Sequence, residues 1–475
     1  MNQRAIVVGS GPNGLAAGIV LAQAGLAVQV REAAAVLGGG ARSAELTLPG
    51  FIHDLCSAVH PMALSSPFFR QLPLASYGLE WVFPPAEFAH PFDDGTAVTL
   101  ERDVAATASQ FPNDAAAYRR LFDPLVSRWE ALISEVLSPL THVPRHPLLL
   151  ARFGLGALQP TTVLTRNAFR DPRARALFAG PAAHAMIPLE APLSAAFGLM
   201  LGGAAHAVGW PVARGGSQQL SNALAGVLRS LGGTILTDAR VATLKELGAP
   251  DLTLCDITPR QFLEMTDLRG HAAYRRALER YRYGPGVFKI DWALRQPIPW
   301  KAKECLRAGT VHLGGTIEEM AVSERDAWEG RPPEKPFVLL SQPTLFDATR
   351  APAGQHVAWG YCHVPNGWRG SAVAQIEAQI ERFAPGFREC VLARAIHTPA
   401  DLERENENLV GGDIMGGAGN AKQFLLRPTW RYYATPLEGV YLCSASTPPG
   451  GSVHGMCGYN AAERALRWLG KTRKA

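Results

Sequence analysis

The spacing of hydrophobic positions near the N-terminus predicts a strand, a helix and a second strand in close succession. Residues 4–8 form a short, partly β-branched apolar run, which a glycine-rich turn follows. Small residues then continue with helical character to Gly25, and a second apolar run at residues 26–30 ends just before the acidic Glu32. This order is typical of the first half of a doubly wound α/β domain.

Two later blocks have the same mixed character. The pattern predicts a helix from Ser217 through Leu231, then a strand at about residues 234–244. Near the C-terminus it predicts a strand at residues 439–445, a Pro/Gly loop, and a helix from about Met456 to Leu469. These blocks predict further pieces of the same α/β domain.

Two long segments of different character separate the three blocks. The first is mostly helical and interrupted by prolines, whereas the second has partly alternating apolar runs at residues 287–294, 337–340 and 356–361. Such alternation indicates antiparallel strands with one covered face. We therefore predict a discontinuous cofactor domain (1–70, 211–260 and 406–475) and an α+β substrate domain with a helical part (71–210 and 261–405).

Composition and charge exclude several classes of protein. With 475 residues, 47% hydrophobic and 18% charged, the chain is long enough for several folded units. The net charge of +5 is scattered and provides no stripe for nucleic acid. The apolar region 193–208 is interrupted by glycines and is shorter than the ~20 residues of a membrane span, which predicts a buried or membrane-resting helix.

Cysteine usage and the N-terminus indicate the compartment. The seven cysteines lie far apart without a C-x-x-C pair, so we predict reduced thiols and neither a disulfide framework nor a metal site. The N-terminal apolar segment has no cleavage site of the kind a signal peptide carries. These features predict a cytoplasmic protein.

The first glycine turn has the spacing of a dinucleotide-binding site. In Gly9-x-Gly11-x-x-Gly14, the first glycine permits a tight turn, the second lets the backbone approach a pyrophosphate, and the third allows close helix packing. Glu32 can accept hydrogen bonds from the adenosine ribose, which disfavours NADP. The predicted cofactor contacts of this region are Gly9, Ser10, Gly11, Pro12, Asn13, Gly14 and Glu32.

A second glycine cluster follows within a few residues. Gly39 and Gly40 let the chain lie beside the cofactor again, and Arg42 can meet a phosphate. A solvated arginine on a surface turn is the alternative for Arg42. NAD enzymes rarely need such a second cluster, so it favours a different dinucleotide.

Several motifs together resemble the phytoene dehydrogenase-like flavoproteins. They occur in the family's order across the chain: residues 6–43, Leu48-Pro49-Gly50-Phe51 with His53-Asp54, Ser57-x-x-His60-Pro61, Gly411-Gly412-Asp413-Ile414, and the run from Tyr441 to Gly458. The resemblance implies FAD and a Rossmann-like FAD-binding domain. It also implies a fold that is shared with the flavin amine oxidases and the Rab GDP-dissociation inhibitors. It also implies a hydrophobic substrate, often an isoprenoid or a polyene.

The C-terminal loop is predicted to serve the flavin ring. A loop that passes from strand to helix can present backbone N–H groups to the flavin pyrimidine edge, where negative charge develops on reduction. The residues predicted there are Ser444, Val453, His454, Gly455 and Met456. His454 can act as acid or base beside the flavin or can serve a positioning role, and His60 is the second catalytic candidate. By resemblance, the backbone of Val241 contacts the adenine end.

The sequence departs from the family pattern at two places. The chain passes from Val241 to Asp251 without room for the usual β-meander, and Arg42 stands later than the arginine of many carotene desaturases. No second strand-turn-helix G-x-G-x-x-G is present for NAD(P)H. We therefore expect an external electron acceptor, such as oxygen or a quinone.

The predicted activity is FAD-dependent desaturation of a hydrophobic substrate, with hydride transfer to flavin N5. Alternatives left open are saturation or cis-trans isomerisation of a polyene, amine oxidation, and lipid escort without chemistry, as in the GDP-dissociation inhibitors. The apolar segments also leave peripheral membrane contact open. The sequence does not indicate an oligomeric state.

Overall fold

The computed structural model describes residues 3–139 and 141–472. Within them the strands are β1 (Arg4–Val8), β2 (Ala27–Arg31), β3 (Ser43–Glu45), β4 (Ile52–Asp54), β5 (Trp81–Val82), β6 (Ala86–Pro91), β7 (Ala97–Leu100), β8 (Val212–Ala213), β9 (Thr234–Leu236), β10 (Leu252–Cys255), β11 (Gly286–Leu294), β12 (Ala308–Leu313), β13 (Val338–Ser341), β14 (His356–Val364), β15 (Val391–His397) and β16 (Val440–Leu442).

The helices of the same residues alternate with these strands. They are α1 (Pro12–Gln23), α2 (Pro61–Ser65), α3 (Val104–Ser109), α4 (Ala115–Val126), α5 (Trp129–Val136), α6 (Pro147–Ala157), α7 (Thr161–Ala168), α8 (Pro172–Ala183), α9 (Ser194–Ala207), α10 (Gln218–Ser230), α11 (Pro259–Met265), α12 (Ala272–Glu279), α13 (Ile317–Trp328), α14 (Val373–Phe383), α15 (Phe387–Cys390), α16 (Pro399–Glu405), α17 (Ala421–Leu425) and α18 (Met456–Thr472).

The predicted Rossmann-like domain is confirmed as a parallel five-stranded sheet in the order β16-β10-β1-β2-β9. Its strands come from all three sequence blocks predicted for the cofactor domain. The chain runs outward from β1 through β2 to β9 and then returns to the other side of β1 with β10. The strand order therefore reverses between β1 and β10, which is where ligands bind in doubly wound sheets.

Helices cover both faces of this sheet. On one face, α1, α10 and α18 pack against apolar residues such as Val7 and Leu254. On the other face, α11 and α12 cover Ile6, Val8 and Leu442. Gly458 allows α18 to cross α1 closely, because a Cβ there would lie 1.8 Å from the carbonyl oxygen of Asn13.

The strand predicted at residues 234–244 is shorter than expected. β9 ends at Leu236, and the next residues form a loop with a 3₁₀ turn at Leu244–Leu247 before β10 begins. Only three residues of β9 pair with β2, so β9 is a short edge strand. No β-meander lies between β9 and β10 in these described residues, as the short spacing indicated.

The substrate domain contains a seven-stranded mixed sheet in the order β15-β11-β14-β13-β12-β6-β7. Its pairs are antiparallel except β12 with β6. The prediction of one covered face was wrong, because β11 is buried at every position and β14 at all but its first. One face packs on α14 and α15, and the other faces the helical region and a large cavity.

Helices α3 to α9 form the layer over the cavity side of this sheet. The predicted apolar region becomes α9, which is buried against α4, α6 and α8 rather than exposed along its length. Phe178 and Phe122 approach two of its glycines closely. Within residues 3–139 and 141–472 no helix is long and apolar enough to cross a membrane.

Candidate functional site

A single large cavity extends between the two sheets. Its volume is about 1110 Å³, and it runs from the glycine turn after β1 to the helices α6 and α9. Pockets for one small molecule commonly enclose roughly 300 to 1,000 Å³. The cavity is therefore large enough for a cofactor and a substrate side by side.

The glycine turn after β1 forms one end of this cavity. Gly9 adopts φ +97°, a left-handed conformation that favours glycine. A Cβ on Gly11 would lie 2.7 Å from Asp256 Oδ2, and one on Gly14 would lie 2.1 Å from the carbonyl oxygen of Gly9. The cavity wall includes five of the six predicted residues of this turn, Gly9, Ser10, Gly11, Pro12 and Asn13. Gly14 lies just behind it, where it lets the helix approach the turn.

Glu32, for which the sequence predicts a ribose contact, lies in the cavity wall. It follows β2 directly. Its carboxylate is held in place by Ser10, whose backbone N–H and Oγ donate at 2.9 and 2.6 Å, and by the N–H of Ala34 at 2.9 Å. The carboxylate is thus oriented before any ligand binds.

Asp256 is a site residue that the sequence analysis missed. It follows β10 at the strand-order reversal, lines the cavity, and accepts a hydrogen bond from Gly14 N at 2.9 Å. Burial raises its pKa to about 7. A protonated carboxyl group is compatible with a dinucleotide phosphate nearby. The signal was available, since Asp256 stands after its strand as Glu32 does after β2.

The second glycine cluster and the adenine contact also line the cavity. Gly39, Gly40, Arg42 and Val241 are all part of its wall. Arg42 donates to the carbonyl oxygens of Gly39 at 2.8 Å and Glu405 at 2.9 Å. Two guanidinium nitrogens are thus used to hold the loop, so Arg42 has a structural role in addition to the predicted phosphate contact.

The C-terminal loop closes the middle of the cavity. Ser444, Val453 and His454 line it, whereas Gly455 and Met456 lie behind the wall. Gly455 adopts φ +69°, and a Cβ there would lie 2.4 Å from Phe69. The Met456 N–H is donated to His454 Nδ1 at 3.0 Å. This corrects the expectation that Met456 offers its N–H to the flavin.

Both catalytic candidates are buried histidines with hydrogen-bonded rings. His454 Nδ1 caps α18 through Met456, and burial lowers the pKa of His454 to about 4. His60 lies 2.8 Å from Ser217 Oγ through Nε2, and burial lowers its pKa to about 4 as well. Both rings are neutral at pH 7 and line the cavity, an arrangement that favours positioning. Their catalytic role stays a prediction.

These buried histidines make the protein sensitive to acid. Burial also lowers the pKa of His90 and His206 to about 4 and that of His184 to about 3. Below about pH 6.5 the histidines of the unfolded chain take up protons, whereas the buried histidines of the folded chain stay neutral. The free energy of unfolding therefore decreases as the pH falls below this value. The unfolding free energy of the parent protein is expected to fall between pH 6 and pH 5. In His454→Asn this fall should be about 1 kcal/mol smaller, because one buried histidine has been removed.

Thermal unfolding midpoints at pH 7, 6 and 5 measure this difference. His146→Asn is the matched control, because His146 is exposed whereas His454 is buried. An equal acid sensitivity of His454→Asn and the parent protein would show that His454 is protonated in the folded state.

The other half of the cavity is mainly apolar. Helices α6 and α9 contribute most of it, and two aromatic residues of β14, Trp359 and Tyr361, form the wall on the sheet side. Their rings are stacked, with centroids 5.9 Å apart and planes at 7°. The apolar lining residues from the helical layer are Leu150, Phe153, Ala157, Leu158, Leu193, Ala196, Phe197, Met200 and Leu201.

The residues present fit FAD. The glycine turn is a cradle that any Cβ would fill, Glu32 is oriented for a ribose, and the cavity continues past Arg42 to the C-terminal loop. This path is long enough for a dinucleotide and ends beside a helix N-terminus, as a reducible ring requires. No cluster of metal-binding side chains occurs among the described residues, and all seven cysteines are unpaired.

Comparisons with known proteins agree with this arrangement. Residues 7–72 match the family model of an NAD(P)-binding Rossmann-like domain. The mouse pyridine nucleotide-disulfide oxidoreductase domain-containing protein 2 (Mus musculus) is 29% identical over 98% of this chain and 93% of its own. The lycopene-forming phytoene desaturase of Paracoccus sp. is 25% identical over 96% of this chain and 95% of its own.

A solved structure has the same architecture along the whole chain. A triple mutant of putrescine oxidase superposes with a TM-score of 0.61 at 16% identity, covering 99% of both chains. At this identity the likeness shows the fold. It supports the assignment of the parallel sheet and the mixed sheet to one fold.

Proposed function

We propose that the chain is an FAD-dependent oxidoreductase of the phytoene dehydrogenase-like family that desaturates a hydrophobic, isoprenoid or polyene-like substrate. The observation that carries this proposal is the cavity itself. Its apolar half is continuous with the half that holds the cofactor residues. A hydrophobic chain placed there would lie beside the flavin ring.

The reaction asks little of side chains beyond position and dryness. FAD, when bound, supplies the acceptor for a hydride at N5. The helices α6 and α9 exclude water from the substrate, and Trp359 and Tyr361 supply the aromatic wall on the sheet side, along which an extended polyene can lie. The proton lost from the adjacent carbon would pass to a base in the cavity wall, for which the neutral imidazoles of His60 and His454 are the candidates.

Amine oxidation is the alternative that the putrescine oxidase fold raises. A cage for an amine needs aromatic faces on both sides of the ligand. Trp359 and Tyr361 are instead stacked on each other on one strand, with no gap for a ligand between them. This geometry favours a flat hydrocarbon over an amine. Saturation and isomerisation would use the same wall and the same cofactor.

Reoxidation of the flavin is proposed to use an external acceptor. Among the described residues one parallel sheet is of the Rossmann-like kind, and the glycine turn, Glu32 and Asp256 at its edge would serve one dinucleotide. Oxygen and quinones are small enough to reach the flavin from the apolar side. Quinones share the solubility of the proposed substrate.

The test is anaerobic reduction of the bound flavin by a panel of compounds. Isoprenoids and polyenes with an allylic C–H bond are expected to bleach the flavin absorbance, whereas fully saturated hydrocarbons of the same length leave it unchanged. Chemical reduction by dithionite provides the control for a redox-competent flavin. Bleaching by primary or secondary amines alone would replace desaturation with amine oxidation.

The outer side of α6, beside the cavity, carries exposed apolar side chains that suit a membrane surface. On α6, Leu148 is 87% and Leu155 74% exposed, while the opposite side of the helix lines the cavity. Arg145 and Arg152 flank them on the exposed side. An apolar face with basic neighbours is attracted to anionic lipid. We propose that the substrate enters from a membrane across this face.

The double variant Leu148→Asp/Leu155→Asp is expected to reduce binding to vesicles with anionic lipid at least tenfold, because each change replaces buried apolar contact with charge repulsion. Co-sedimentation with vesicles of phosphatidylglycerol and phosphatidylcholine measures it. Leu231→Asp, at a partly exposed leucine of the cofactor domain, is the control. Equal binding of the double variant and the parent would exclude this face as the contact.

A further inference from the structure

Arg427 is a buried arginine in the cavity wall that the mechanism above does not use. It stands two residues after α17 and is 8% exposed. Its Nη2 donates to the carbonyl oxygen of Met415 at 2.6 Å, while its Nε is buried without a hydrogen-bond partner among the described residues. The guanidinium is thus only partly satisfied by the protein.

The charge of Arg427 has no full counter-ion in the described chain. The acidic group that acts on it most directly is Asp413, which lies beyond ion-pair distance. The Asp413 oxygens accept hydrogen bonds from Gly284 N at 2.9 Å and Met415 N at 2.7 Å, and burial raises the pKa of Asp413. An arginine stays protonated under all ordinary conditions, and a buried charge is costly unless it is paired.

The other arginines of the cavity wall differ in this respect. Arg240 pairs with Glu407 at 2.5 Å, Arg404 pairs with Asp401 at 2.5 Å, and Arg42 is held by two carbonyl oxygens. Arg31, beside Glu32, donates through Nε to Gln29 Oε1 at 3.1 Å. All four lie in the half of the cavity proposed for the dinucleotide. Arg427 is therefore the cavity arginine with spare hydrogen-bonding capacity beside the substrate half.

The Arg427 guanidinium lies between the C-terminal loop and the apolar part of the cavity wall. Its Nη1 lies 3.4 Å from the position of a Cβ on Gly450, in the loop that closes over the flavin site. Ile414, Met415 and Phe424 line the cavity on its other side. An anion bound to Arg427 would have its apolar remainder along these residues.

We propose that Arg427 binds the carboxylate of an amphipathic substrate, so that the substrate class is a long-chain unsaturated carboxylic acid rather than a pure hydrocarbon. This rests on the proposed function, which it narrows. One guanidinium matches one carboxylate through two parallel N–H···O bonds. A diphosphate would need more cations than this wall offers.

The experiment compares two ligands that differ only at the head group. Geranylgeranoate and geranylgeraniol are titrated into the oxidised, FAD-loaded enzyme, and binding is followed by the change in flavin absorbance. The parent protein is expected to bind the acid roughly 10- to 100-fold more tightly than the alcohol, as a charge-assisted, desolvated pair provides. Arg427→Gln should abolish this preference, and Arg427→Lys should retain part of it.

The control is Arg431→Gln, which removes a nearby positive charge outside the cavity wall, where Arg431 lies over the ring of Trp430. It should keep the preference for the acid. Equal affinity of the parent for acid and alcohol would overturn the proposal, and so would a preference that survives in Arg427→Gln. A shift of the flavin reduction potential in Arg427→Gln with unchanged ligand preference would assign Arg427 to the cofactor instead.

This binding test stands apart from the test of desaturation. It uses the oxidised enzyme and no turnover, so a clear preference for the acid supports the anion site even where the flavin is not reduced. Conversely, bleaching by hydrocarbons with no preference for the acid would keep the proposed function and remove the carboxylate.

Discussion

Gly14→Ala is expected to give a protein that purifies without FAD. The added Cβ would lie 2.1 Å from the carbonyl oxygen of Gly9 and 3.1 Å from Asp256 Oδ2. The Gly9 backbone cannot move away without opening the turn that is predicted to face the pyrophosphate. The Gly14 N–H, which donates to Asp256, would shift as the turn opens. We expect at least a 100-fold weaker affinity for FAD, since the cradle and the helix N-terminus are displaced together.

The ratio of flavin to protein absorbance after purification measures this loss, and titration of the apoprotein with FAD gives the affinity. Gly470→Ala is the control, because a Cβ there meets no atom within 4 Å and Gly470 lies in α18, far from the turn. A yellow Gly14→Ala protein with a full complement of FAD would contradict the placement of the pyrophosphate at this turn.

Arg350→Leu is expected to cause a large loss of stability. The Arg350 side chain is fully buried and joins Asp54 at 2.5 Å and Asp347 at 3.0 Å. It also donates to the carbonyl oxygen of Ala213 at 2.8 Å. Removal of the guanidinium leaves two buried carboxylates without their cation, which costs about 3 to 5 kcal/mol.

This ion network joins the two domains next to the cavity. Asp54 also accepts hydrogen bonds from Ser43 Oγ and Ser217 N, both at 2.7 Å. Burial alone raises the pKa of Asp54, but Arg350 and these hydrogen bonds together hold it below its ordinary value. The network is therefore stabilising above pH 4 and weakens as the pH falls through the lowered pKa of Asp54.

Urea unfolding at pH 7 measures the effect of Arg350→Leu. The control is Arg119→Leu, which breaks an exposed pair with Asp123 on one face of α4 and is expected to cost no more than about 0.5 kcal/mol. An Arg350→Leu protein as stable as the parent would show that the two carboxylates are protonated or solvated in the folded chain.

The cofactor half of the site could be predicted because its signals are local. The β1-turn-α1-β2 unit, the Glu32 position and the start of α18 at Met456 lie where the sequence places them. Each depends on neighbouring residues: a glycine that must adopt positive φ, an acid directly after a strand, a helix after a Pro/Gly loop. Such constraints are visible without knowledge of the tertiary fold.

The substrate half could not be predicted in the same detail because it depends on contacts between distant segments. The strand β14 gives a hydrophobic run, but the sequence does not show that α14 covers one face while the cavity lies on the other. Arg427 has no local pattern that separates it from a surface arginine. Only the tertiary structure, which places Met415 and Gly450 around it, shows that the Arg427 guanidinium has few hydrogen-bond partners in the protein.

The protonation state of His454 also could not be predicted from the sequence. His454 was a candidate acid or base because of its place in a flavin loop. The structure shows that its Nδ1 accepts from Met456 and that burial lowers its pKa to about 4. The hydrogen bond is local, but the lowered pKa cannot be read from neighbouring residues because it depends on burial of the ring by the fold.

The most direct test of the central claim is one complete redox cycle of the purified protein. Its visible spectrum is recorded before and after anaerobic addition of an unsaturated isoprenoid or polyene, and again after air is readmitted. The product is then identified by mass spectrometry. The account predicts a bound flavin that bleaches, recovers in air, and leaves a product two hydrogen atoms lighter than the substrate. A bound flavin that stays oxidised while lipids are bound and released unchanged would contradict it and favour a lipid escort.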